Sequence, residues 1–198
     1  MTTTIRPALV APGRIFYNRD TLLAFTWGLA EATIFFIVPE VLLSRVAMLR
    51  GGKNALRACV WALAGSIIGA TVIYYAASIG HGPGLLRLMD WLPGITPDLI
   101  DQAHDGLEDH GISAVFAGAF TGIPFKLYAT HAGSMHVGWF LFLLASAVVR
   151  FVRFSVTSLL AWFIATKLLH SLPRSRLQLL HVAFWTVFYA VYFTRHGT

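Results

Sequence analysis

Two apolar stretches carry a proline beside an ionisable residue near their centres. One is Ile37-Val38-Pro39-Glu40-Val41-Leu42-Leu43, within residues 22–49; the other is Gly122-Ile123-Pro124-Phe125-Lys126-Leu127-Tyr128, within residues 112–135. Each stretch is long enough to cross a bilayer once, which takes about 20 apolar residues. Proline removes a backbone donor and biases the preceding residue away from helix. Broken backbone at membrane depth is tolerated only where protein or a wet cavity surrounds it. The stretches are therefore either kinked spanning helices or re-entrant hairpins that begin and end on one side.

Composition makes the membrane the relevant solvent. Of 198 residues, 57% are hydrophobic and 12% charged, whereas soluble domains average about 25% charged. A soluble globular fold and intrinsic disorder are both excluded on that balance. Three further apolar stretches cover residues 55–79, 137–169 and 177–193, the last just able to span. Gly51-Gly52, a polar loop over residues 81–111 and Ser171-Leu172-Pro173 link them. Cys59 is the single cysteine, which excludes an intrachain disulfide and a cysteine metal cluster.

Charge separates the two readings of the broken stretches. The formal net charge is +6, and basic residues collect at particular places: Arg6, Arg14 and Arg19 in the amino-terminal arm, Arg45, Arg50, Lys53 and Arg57 after the first stretch, Lys167, Arg174 and Arg176 after the fourth. By the positive-inside rule these places are cytoplasmic. The loop with Asp90, Asp98, Asp101, Asp105, Glu108 and Asp109 against Arg87 belongs outside. The second stretch then runs outward and the fourth returns, so the third must begin and end outside and the first inside. The reading is an all-α polytopic membrane protein with two opposed re-entrant hairpins and about three spanning helices in an inverted repeat. Broken elements in corresponding halves point to a transport site. Residues 1–21 are read as a basic cytoplasmic arm without signal-peptide features, residues 22–170 as the membrane domain, and residues 171–198 as a final transmembrane helix and tail.

Five charges lie about the two hairpin tips and the middle of the fourth stretch. Glu31 and Glu40 flank the first hairpin tip at Pro39, Lys126 follows the second tip at Pro124, and Arg150 and Arg153 share one helical face of the fourth stretch. Each would cost at least about 2.5–3.5 kcal/mol at the bilayer centre, so together they should face a shared interior. Two roles are open there. The arginines can simply neutralise the acids and lock the hairpins. Alternatively, Glu31 and Glu40 exchange protons while Lys126, Arg150 and Arg153 bind an anionic headgroup, for which the planar guanidinium fork is suited.

Other features carry less. Gly65-Ser66-Ile67-Ile68-Gly69 reads as a close-packing helix face, and Tyr74 and Tyr75 as outer-interface aromatics. Residues 96–110 read as a short amphipathic helix resting on the membrane through Ile100 and Leu107. His131 and His136 are five apart, not a one-face pair, and His104 and His110 lie in the acidic loop; no metal site and no cofactor are expected. His131 reads as interfacial, with a proton relay as the alternative. Nucleophile elbow, P-loop and dinucleotide motifs are missing, so no enzyme is expected.

The residues resemble the DedA superfamily of SNARE-associated or VTT-domain membrane proteins, and most closely its YqaA-like branch. The resemblance rests on Ala30-Glu31-Ala32, Pro39-Glu40-Val41-Leu42-Leu43, Gly65-Ser66-Ile67-Ile68-Gly69 with Tyr74, Phe120-Thr121-Gly122-Ile123-Pro124-Phe125-Lys126, Ala132-Gly133, Phe142-Leu143-Leu144-Ala145-Ser146 and Arg150-Phe151-Val152-Arg153-Phe154. It spans about residues 22–165. It implies a polytopic fold with opposed hairpins in a bacterial inner membrane, and the charge pattern makes the N-terminus cytoplasmic. It also implies translocation of undecaprenyl phosphate or phosphatidylethanolamine, with Glu31 and Glu40 in the acidic positions. Thr121 and Leu127 stand where the better-studied branch has arginines, Gly122 replaces a proline, and Lys126 matches the YqaA-like lysine. The expected function is a lipid transporter or scramblase moving a phosphate-bearing headgroup, with membrane lipids and protons as partners, no nucleic acid, and a homo-oligomer as an option. A non-transporting assembly or homeostasis factor with structural ion pairs is the alternative.

Overall fold

A computed structural model describes residues 19–196, and among them the chain is all helix. The basic arm expected at residues 1–21 lies outside the described residues up to position 18. Three helices are long and apolar enough to cross a bilayer: α3 (Gly52–Ala76), α8 (Trp139–Phe163, prolonged by a looser turn through Leu168) and α9 (Arg174–His196). At 1.5 Å per residue, α3 and α8 reach about 37 Å, against a hydrocarbon core of about 30 Å. Their outward faces present Val60, Ile68, Val72, Leu141, Leu144, Val148, Val152 and Val156 to the surroundings. Three such helices point to a multi-pass membrane protein.

The broken stretches fold as pairs of short helices. α1 (Arg19–Glu31) and α2 (Glu40–Arg50) flank the first break; α6 (Ser113–Thr121) and α7 (Phe125–Ser134) flank the second. The longest of these, α1, reaches only about 20 Å. Each break lies where a proline caps the next helix: Pro39 before α2 and Pro124 before α7. Gly122, at φ +89°, ends α6 in the left-handed region that suits glycine.

Neighbours fix the direction of each helix. α1 and α3 touch backbone to backbone: a Cβ added to Gly28 would sit 2.1 Å from the Ala62 carbonyl oxygen, and one on Gly65 2.0 Å from that of Phe25. Higher up, Gly69 meets Leu29 and Ala32, so α1 and α3 rise together. This is the close-packing face read from the small residues of α3. α2 descends along α3, with Leu43, Val46 and Ala47 packed in one cluster with Ala55, Ala58 and Ala62. Arg50, closing α2, pairs with Asp20, opening α1, at 2.5 Å. The two ends of this finger therefore lie together.

α8 runs against α3. Trp139 meets Tyr75 and Phe142 stacks on Tyr74 at one end, while Ser158 contacts Cys59 and Trp162 lies over Gly52 at the other. α7 starts beside the first finger's tip, where Lys126 reaches Phe35, and climbs until Gly133 lies against Tyr74. α6 comes the other way, from Ala114 beside Gly106 to Ala119, whose carbonyl accepts from Arg153. α9 leans on the first finger: His181 contacts Ser44 and Tyr189 reaches Val38.

The polar loop contains more structure than the sequence reading gave it. α4 (Gly82–Asp90) follows a kink at Ile79 and Gly80 (φ +96°) and turns back along α7, with Gly82 against Ser134 and Met89 near Thr130. α5 (Pro97–His110) is the expected amphipathic helix, started by the Thr96 hydroxyl accepting from the Leu99 amide. Its apolar face does not rest on the membrane, however. Leu107 is buried with Leu99 and Ala103 against Ala114 and Tyr128, because α6 and α7 supply an apolar partner within the chain.

Candidate functional site

The two breaks meet, and the five charges meet with them. The first break spans residues 32–39, and its freed backbone groups are taken up by side chains from three directions. Trp27 Nε1 donates to the Ile37 carbonyl at 2.9 Å, the Val38 amide donates to the Tyr189 hydroxyl at 2.8 Å, and Lys126 Nζ donates to the Phe35 carbonyl at 2.7 Å. Non-helical backbone in an apolar interior needs such partners. Lys126 is thus an anchor between the two tips, 2% exposed, and not a cation aimed at open space.

Glu31 closes α1 and Arg150 sits at mid-length of α8; they form a buried ion pair and hydrogen bond. The guanidinium also lies over the Phe125 ring at 4.3 Å and the Phe154 ring at 5.1 Å. These faces favour a cation within an apolar surround. Glu40 opens α2, where the helix dipole favours a carboxylate. Its Oε1 lies 2.6 Å from Arg153 Nε. Arg153 Nη1 also donates to the Ala119 carbonyl at 3.3 Å, near the C-terminal end of α6, where the dipole favours a cation. Arg153 therefore ties the start of α2 in one finger to the end of α6 in the other.

The spacing of Arg150 and Arg153 on one helical face is what lets each arginine serve a different acid. All five residues named from the sequence come together here, with Pro39 and Pro124 at the tips. Two carboxylates face three cations, leaving one positive charge in excess. Within the cluster Glu40 Oε2 and Arg150 Nε are buried without a hydrogen-bond partner, as is Arg153 Nε apart from its ion pair with Glu40. Beside the arginines is a cavity of about 20 Å³, lined by Ala119, Ile123, Phe125 and Tyr128 among others. That volume holds about one water.

The sequence reading missed Tyr189 and Trp27, which satisfy the first tip. An aromatic-rich final helix gives no local signal that the Tyr189 phenol is a hydrogen-bond acceptor. It also missed the contact of His104 with His131, whose ring centroids are 5.2 Å apart although the residues lie far apart in the chain.

No protein-family model matches the chain. It is similar to an uncharacterized protein of Haemophilus influenzae, 30% identical over 138 residues that make up 67% of each chain. The two are homologous, and the relative's name assigns neither a family nor an activity. No solved structure matches.

Proposed function

We propose that this chain moves the phosphate-bearing headgroup of a lipid across a bacterial inner membrane, between two re-entrant hairpins that dip from opposite sides. The observation that carries the reading is the cluster of two acids and three cations at the junction of the fingers. Its cations outnumber its acids, which suits an anionic phosphate headgroup, and arginine forks match phosphate oxygens. The first finger with α3 and the second with α8 run in opposite senses, as an inverted repeat built for alternating access does. The resemblance to the DedA superfamily agrees with this reading, and the basic residues of the amino-terminal arm favour a cytoplasmic N-terminus.

The cavity of about 20 Å³ is too small for a headgroup, so this reading requires another, open form. Opening a path requires parting Arg153 from Glu40 and Arg150 from Glu31. Protonating the two carboxylates would do so, because a neutral acid releases its arginine to bind phosphate. Glu31 and Glu40 are then the proton-coupling residues and Arg150 and Arg153 the headgroup-binding ones, with Lys126 joining them once its hold on the Phe35 carbonyl is released. The reaction is movement, not bond chemistry.

One observation favours the alternative of a non-transporting assembly or homeostasis factor: both acids are already paired and the cavity admits about one water. Reconstitution into liposomes with labelled phospholipids and polyprenyl phosphates, with and without a proton gradient, separates the two. Transport by the wild type, lost in folded Glu31→Gln and Arg150→Ala proteins, supports the transporter. Transport that both folded variants retain removes these roles. Inactivity of the wild type toward every lipid, with stability restored by exchanging Glu31 and Arg150, supports the structural alternative.

A further inference from the structure

Helix ends gather exposed basic side chains at one end of the molecule. α2 carries Arg45 and Arg50 and passes through Gly51 into α3, whose first two turns carry Lys53 and Arg57. Gly52 lies under Trp162 and Leu159, so the last turns of α8, and Lys167 just beyond them, reach the same end. The contact of Ser44 with His181 brings the start of α9 there as well, with Arg174 and Arg176. All of these basic side chains are exposed. Arg50 is paired with Asp20, the one acid at this end among the described residues. The other six make no ion pair among the described residues.

Helix length sets the depth of these charges. Residues 58–76 of α3 carry no charge and rise about 28 Å, close to the hydrocarbon thickness of about 30 Å. With that stretch in the apolar core, Arg57 stands at its edge. Gly52 is about 8 Å further out, comparable to one headgroup layer. Arg45 precedes the end of α2 by about the same rise, so it stands level with Arg57. The six cations therefore lie at the depth of lipid phosphates and not out in bulk water. Guanidinium and ammonium groups donate and never accept, so the headgroup that fits them is an anion. A zwitterionic headgroup brings an ammonium that they repel.

We propose that this end of the molecule binds anionic glycerophospholipids, of the phosphatidylglycerol or cardiolipin type, through Arg45, Lys53, Arg57, Lys167, Arg174 and Arg176. The lipid phosphates supply counter-ions that the chain itself lacks there. Each basic group near an anionic leaflet strengthens binding about fivefold. The surface is separate from the buried tips, where each arginine already holds a carboxylate of the chain. The inference stands independently of lipid transport.

The test uses the full chain, delipidated in a nonionic detergent. Phosphatidylglycerol and phosphatidylcholine with matched acyl chains are added in turn, and bound lipid is counted by native mass spectrometry. The wild type should bind phosphatidylglycerol in preference, and the preference should shrink as ammonium acetate is raised. Arg45→Gln/Arg57→Gln and Arg174→Gln/Arg176→Gln proteins should each bind phosphatidylglycerol about 25-fold more weakly and phosphatidylcholine as the wild type does. The substituted side chains are exposed, so both proteins should keep the wild-type melting temperature. Arg87→Gln, on α4 in the other half of the molecule, should bind as the wild type does. Inorganic phosphate should not displace the lipid. Equal affinity of the wild type for the two lipids overturns the proposal. So does unchanged phosphatidylglycerol binding in either double variant, an equal loss in Arg87→Gln, or displacement by inorganic phosphate.

Discussion

Removing one partner of the Glu31–Arg150 pair should cost far more than removing both. Both residues are nearly inaccessible, at 6% and 3% exposed. Arg150→Met leaves the Glu31 carboxylate in an apolar interior, and breaking a buried pair in this way costs about 3–5 kcal/mol. Lys126 is close enough for its charge to be felt by the pair, which places the loss near the lower end, about 3 kcal/mol. Glu31→Gln should cost less. The guanidinium it strands keeps the Phe125 and Phe154 faces, and a desolvated cation–π contact is worth about 2 kcal/mol. The double variant carries neither charge and should recover most of the loss. A double-mutant cycle measured by equilibrium unfolding in mixed micelles should therefore return a coupling of about 2–3 kcal/mol, the upper range for groups in contact. Additivity within about 0.5 kcal/mol would refute the reasoning, since it would mean that the two side chains do not share an environment.

Gly65→Ala should destabilise the fold by about 1–3 kcal/mol, because its Cβ would meet the Phe25 backbone. Gly84→Ala, with open space around it, should leave stability unchanged or slightly raised in the same unfolding assay. Tyr189→Phe removes the acceptor of the Val38 amide and should cost about 1 kcal/mol, with faster hydrogen exchange at that amide as the direct readout.

The breaks, the charges and their convergence were legible in the sequence because each rests on a strong local rule. Pro39 and Pro124 kink or break any helix they interrupt, and charges in apolar stretches must find one another. The close approach of α1 to α3 was legible as well, from Gly65 and Gly69. The interior of the polar loop was not. Its acidic face reads as solvated, and only tertiary contact tells that Leu107 packs under α6 and α7 and does not rest on lipid. The pairing of each acid with its own arginine was likewise beyond spacing arguments, since i,i+3 geometry places Arg150 and Arg153 together without assigning their partners. The same limit hid the approach of His131 to His104.

Side-specific thiol labelling tests the opposed fingers most directly. In a Cys59→Ala background, single cysteines would replace the exposed residues Arg19 and Asn54, near the two ends of the first finger, and Ser113 and His136, near those of the second. A membrane-impermeant maleimide should reach the first pair from one face of the membrane only and the second pair from the opposite face only. Members of either pair reacting from different faces would mean that this finger crosses the bilayer, and would contradict the account.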